Sequence, residues 1–86
     1  MLEYKIETLV QLYDSLNTQI DKTQEQLNEI AKVIAKPIDA EAYQKLNDFR
    51  TVMETRFENL VDMRNSVEIV LGKMLAHEAA EVEENK

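Results

Sequence analysis

The sequence predicts an all-α protein: an antiparallel two-helix hairpin, with helix 1 over about residues 2–35 and helix 2 over about 40–81, dimerising into a four-helix bundle or coiled coil. Three observations carry this. Leu2, Ile6, Leu9, Tyr13, Leu16, Ile20, Thr23, Leu27, Ile30 and Ile34 follow alternating steps of four and three, and only Thr23 among them is polar. That period of 3.5 belongs to a helix packed lengthwise against another. The chain has one glycine and one proline, is 44% apolar and 31% charged, and so has the composition of a helical bundle. Finally, the single proline, Pro37, stands between two long periodic segments.

Helix 1 should begin within the first residues, where Glu3 and Glu7 lie near the positive end of the macrodipole. Val10, Leu12, Ala31 and Val33 widen its apolar stripe at both ends, while Asn17, Gln19, Gln24 and Gln26 narrow it in the middle. A stripe this wide calls for more than one neighbouring helix.

The break falls at Lys36-Pro37. Proline disfavours a helical residue before it and cannot donate to the preceding turn. Lys32 and Lys36 suit a helix C-terminus. Asp39 reads as the N-cap of the next helix, with Ile38 and Tyr43 at hydrophobic-staple spacing around it. A connection of about four residues makes the two helices antiparallel neighbours.

Helix 2 carries two overlapping seams. One reads Ala42, Leu46, Phe49, Met53, Arg56, Leu60, Met63, Val67, Val70, Met74, His77; the other reads Tyr43, Leu46, Arg50, Met53, Phe57, Leu60, Arg64, Val67, Leu71, Met74. They share the row through Leu46, Met53, Leu60, Val67 and Met74. Between Val67 and Leu75 the apolar residues point nearly all round the helix, so this segment is expected to be the most enclosed. Gly72 inside it suits a close backbone approach, a bend, or simply a tolerated cost. The expected hairpin register sets Ile6 opposite Val70 and Leu16 opposite Leu60. Residues 1–81 form the hairpin domain, and 82–86 an acidic, frayed tail.

Charge and composition exclude several functions. With 17 acids against 10 bases, the net charge is −7, which argues against binding nucleic acid or an anionic membrane surface. No cysteine is present, so disulfides and thiolate metal sites are ruled out. The opening MLEYKIETLV lacks the basic start and apolar core of a signal peptide, and no stretch approaches the ~20 apolar residues that span a bilayer. The expected location is cytoplasmic.

Candidate chemistry is sparse. Arg50, Arg56 and Arg64 lie on or beside the seams of helix 2, and Arg56 is expected near Gln19 and Thr23 in a polar layer at mid-bundle. An arginine cluster could instead grip an acidic partner, but stems covering apolar surface with heads in water is the plainer reading. Met53, Met63 and Met74 suit either adaptable partner binding or core filling. His77, the only histidine, has Met74 rather than a glutamate three residues before it, so the Glu-x-x-His spacing of a helical di-metal site is absent. The carboxylate rows Asp14, Asp21, Glu25, Glu29 and Glu54, Glu58, Asp62 read as solvated faces. No phosphate loop, nucleophile elbow or Cys/His ligand spacing is present. No cofactor, metal, catalytic residue or small-molecule substrate is expected.

Two helices meeting along one seam leave half of each stripe uncovered, and a core this small seldom supplies more than about 3–5 kcal/mol. The sequence therefore predicts self-association or a protein partner through Val10, Leu12, Leu16, Phe49, Met53, Arg56, Leu60, Met63, Val67, Val70 and Met74, with a C2 homodimer as the default. The function that follows is a non-enzymatic protein–protein interaction module: an adaptor, small chaperone or inhibitor. The alternative is an acidic decoy that mimics nucleic acid and blocks a nucleic-acid-binding protein, as a phage or plasmid accessory protein would.

Overall fold

The computed structural model describes residues 2–84, with side chains described over 5–80, as two helices: α1 (Leu2–Ile34) and α2 (Ala40–Glu84). They fold back on each other as a hairpin, a rod of 70 × 17 × 14 Å. The longer dimension is that of α2 alone, whose 45 residues span about 68 Å at 1.5 Å per residue.

The turn is built as its residues require. Ala35 N donates to Ala31 O at 3.1 Å, and Lys36 N then donates to Val33 O, only three residues back, at 3.1 Å. That tightened last turn satisfies carbonyls a continuing helix would have used, and Pro37 prevents the continuation. Asp39 caps α2: its Oδ1 accepts from Ala42 N at 2.8 Å, and its carbonyl accepts from Tyr43 N at 3.0 Å. This is the N-cap geometry that satisfies an otherwise orphaned amide. Lys32 stands in the last turn of α1 and Glu41 in the first turn of α2, each the sign the local dipole favours.

Along α1 the heptad seam is the packed face. Leu16, Ile20, Thr23 and Ile30 are buried, while Ile6, Leu9, Tyr13, Leu27 and Ile34 are half-buried. Leu16, Ile20 and Leu60 form one core cluster, with Phe57, Val61 and Val67 packed against it. Thr23, buried at 3% exposure, has its hydroxyl bonded to Gln19 O at 2.8 Å. A polar group is thus buried without an unmet bond.

On α2, from Leu46 onward, the hairpin uses the second of the two seams. Leu46, Arg50, Phe57, Arg64, Val67, Leu71 and Met74 are half-buried, and Met53 and Leu60 buried. Tyr43, at the head of that series, is exposed. Of the residues special to the other seam, Ala42 is half-buried beside the turn, and Phe49, Arg56, Met63, Val70 and His77 are exposed.

Several local expectations are corrected. The segment from Val67 to Leu75 is not the most enclosed: Ile69, Val70 and Leu75 are exposed, and no residue after Leu60 is buried among those described. One partner helix covers one face, whereas apolar residues here point all round α2. Val70 does not face Ile6, because it lies on the unused seam; at that end Met74 shares a groove with Lys5, Thr8 and Leu9. The structure does not place Arg56 in a polar layer with Gln19 and Thr23. A polar contact across the hairpin belongs instead to Arg64, whose Nη1 donates to Asn17 Oδ1 at 3.3 Å. Gly72 permits no close approach, since a Cβ built there would meet nothing within 4 Å. Finally, α2 continues to Glu84, past the expected end near 81, so part of the expected tail is helical; Asn85 and Lys86 lie outside the described residues.

Candidate interaction surface

A helix whose residues all face one neighbour has no second stripe. α1 comes close to this, with its apolar residues gathered on one face, but those of α2 are spread round the helix. What the hairpin leaves outside is therefore mainly on α2: Phe49 is 52% exposed, Val52 64%, Met63 51% and Val70 47%. Phe49, Arg56, Met63 and Val70 repeat every seven residues, and so form one row along the helix. Val52 is the i+3 neighbour of Phe49 and widens the row.

The side of the hairpin on which this row lies follows from two contacts. Arg64 reaches Asn17, so those two residues mark one flank. Met74 lines a groove together with Lys5, Thr8 and Leu9, which mark the other. On α2 the row through Arg56, Met63 and Val70 lies on the far side of the Leu60–Val67–Met74 row from Arg64. On α1 Leu12 follows Lys5 by one heptad, and Gln19, Gln26 and Val33 continue that row. Leu12 and Val33, both exposed, therefore lie on the same flank as Phe49, Met63 and Val70. The opposite flank carries Asn17, Arg64, Val10 and Leu75.

The two flanks also differ in charge. Asp14, Asp21, Glu54, Glu58, Asp62 and Glu68 all lie off the Phe49–Val70 flank. The ion pairs of the described residues are Lys32–Glu29 at 3.1 Å, Lys45–Glu41 at 3.2 Å and Arg50–Glu54 at 3.7 Å, all within a single helix. Exposed pairs of this kind contribute little to stability. Arg50 also donates to Asn47 Oδ1, and Arg64 to Asn65 Oδ1 at 3.2 Å through Nη2. Arg56 has no such partner among the described residues.

The residues expected at an interface thus divide. Leu16, Met53 and Leu60 lie buried inside the hairpin, with Val67 and Met74 half-buried beside them. Leu12, Phe49, Arg56, Met63 and Val70 share the exposed flank, and Val10 is exposed on the other. The three arginines do not form a cluster: each has a different environment. Asp14, Asp21, Glu25 and Glu29 are exposed, as are Glu54, Glu58, Asp62 and His77. No group of three or more His, Cys, Asp or Glu among the described residues could hold a metal ion. Sequence reasoning places Asn17 beside the seam but misses its bond to Arg64, and it misses the clearing of acids from one flank, which the heptad positions already encode. No helix among the described residues is long and apolar enough to cross a membrane. No protein-family model, characterised protein or solved structure matches the chain.

Proposed function

We propose that this chain is a non-enzymatic protein–protein interaction module of the cytoplasm, an adaptor, small chaperone or inhibitor, which acts by burying a second apolar stripe against other helices. The observation that supports it is the α2 row of Phe49, Met63 and Val70, which the hairpin leaves outside although it has the period of a packing seam. Exposed apolar residues that recur along one helix face, here interrupted by Arg56, mark an association site. A helix face with anchors at regular spacing takes another helix. The first partner is a second copy of the chain, giving a homodimeric four-helix bundle.

The test uses two exposed positions. Phe49→Asp and Met63→Asp leave the hairpin core untouched, so helical content measured by circular dichroism stays as in the parent chain. Both variants lose self-association in light scattering, and the immobilised chain loses the proteins it captures. Capture and subunit count that survive both substitutions overturn the reading.

A different observation favours the acidic-decoy alternative: Asp14, Asp21 and Glu25 are exposed and make no ion pair among the described residues. Replacing these three with Asn, Asn and Gln discriminates between the two. Loss of a partner through that change, with steep salt dependence of the parent complex, belongs to the decoy; indifference to it belongs to the apolar stripe.

A further inference from the structure

We infer that the occupant of the apolar flank is a second copy of the chain, related by a two-fold axis along the rod, so that both turns lie at the same end. Arg56 of each copy then meets Gln19 and Gln26 of the other. This rests on the self-association proposed above and specifies its geometry.

The first support is area. The chain exposes 6636 Å². A compact monomer of 10.0 kDa exposes only about 5200 Å² by the usual scaling of surface with mass. The excess of about 1400 Å² is more than the roughly 800 Å² per partner that a stable interface requires.

Height supplies the second. Leu60 shares one core cluster with Leu16 and Ile20, and setting it level with the middle of that pair gives the levels along the antiparallel pair to within about one turn. Leu12 falls level with the gap between Met63 and Val70, and Val33 with the gap between Ala42 and Phe49. Arg56 falls level with the gap between Gln19 and Gln26. Rotation about the rod axis lays the α1 row of one copy over the α2 row of the other at unchanged heights. Apolar residues then interdigitate with apolar ones, and the single charge meets two amides. Arg56 and Gln26 have no hydrogen-bond partner among the described residues. An axis across the rod would also match apolar ends, but it sets Arg56 against its own copy. Like charges in contact are unfavourable.

Charge is the third. A chain of net charge −7 repels its own copies, so a self-contact needs a surface cleared of acids. Between Ala42 and His77 the α2 side of the flank has no Asp or Glu, and the α1 side has only Glu29, paired with Lys32 at 3.1 Å. Depletion of acids with enrichment of Met, aromatic and Arg residues is the composition of an interface core.

The experiment uses the full chain, which has no cysteine of its own. Lys36→Cys, carrying a nitroxide, reports the distance between the two turns by pulsed electron resonance, while light scattering gives the mass. A dimer with labels about 20–30 Å apart, the width of a bundle whose helices pack 8–10 Å apart, is the expected result. A dimer with labels beyond about 40 Å, the separation set by helix rise for turns at opposite ends, overturns the axis but leaves self-association standing. A monomer at all concentrations overturns both and leaves the flank to a different protein. In the same assay, Met63→Asp weakens the dimer at least about tenfold, the effect of burying one unpaired carboxylate. Arg56→Leu tightens the dimer and broadens the distance distribution, because a polar layer costs stability but fixes orientation. An unchanged distance distribution in Arg56→Leu overturns the role given to that layer.

Discussion

Arg64 and Asn17 stand 47 residues apart in sequence and meet across the hairpin, the guanidinium Nη1 donating to the amide Oδ1 at 3.3 Å. Arg64 occupies a seam position and is half-buried. Its head turns outward, where Nε and Nη2 also reach Asn65 Oδ1 at 3.4 and 3.2 Å. The pair ties α1 to α2 on the flank opposite the exposed Phe49–Val70 row, and it sits one turn from the Leu16–Ile20–Leu60 cluster.

Asn17→Ala removes the acceptor while Arg64 keeps Asn65. The expected loss is about 0.5–1.5 kcal/mol, the net value of one such bond. A double-mutant cycle with Arg64→Ala, read from urea unfolding, should show a coupling of that order. A cycle that sums to zero would mean that the contact has no part in holding the helices together.

Asp39 links the turn to α2 through its 2.8 Å bond to Ala42 N. Asp39→Ala should cost about 0.5–2 kcal/mol, and Asp39→Asn much less, since an amide oxygen caps as well. Thermal unfolding of the two variants side by side separates loss of the cap from loss of the charge.

Gly72 is a position where the chain can gain. It lies inside α2, its backbone is not left-handed, and a Cβ there meets nothing within 4 Å. Gly72→Ala should therefore stabilise the fold by about 1 kcal/mol, seen as a higher urea midpoint. It lies off the exposed flank, so the subunit count is unaffected.

Leu60 and Ile69 are apolar residues of one helix with opposite fates. Leu60 is 6% exposed inside the core cluster, and Ile69 is 59% exposed. Leu60→Ala should cost about 2–5 kcal/mol through lost burial and the cavity it leaves, whereas Ile69→Ala should stay within about 0.5 kcal/mol. Comparable losses at both sites would show that Ile69 also has a packing neighbour.

The hairpin itself was legible in the residues because its signals are local. Pro37 forbids a continuous helix, Asp39 offers an oxygen at capping distance, and Lys36 and Lys32 suit the end before them; none of this depends on what lies across the gap. The α1 seam was equally legible, since one stripe leaves one choice of face. The exposed flank was legible only as a set of candidates, in which Leu16, Met53 and Leu60 were grouped with Phe49, Met63 and Val70. Arg56 and Arg64 were likewise ambiguous: both lie on good seams, and no periodicity ranks one above the other.

Sequence alone determined two helices, the point at which they part, and the face α1 turns inward, because caps, proline and a single heptad stripe act within a few residues of themselves. Tertiary structure decided which of the two α2 seams meets α1, and with it that Arg64 finds Asn17 while Arg56 stays outside. The two seams share the Leu46–Met53–Leu60–Val67–Met74 row, so a small rotation about the helix axis exchanges them. Only packing against the side chains of α1 fixes that rotation, and the seam left over becomes the outer surface.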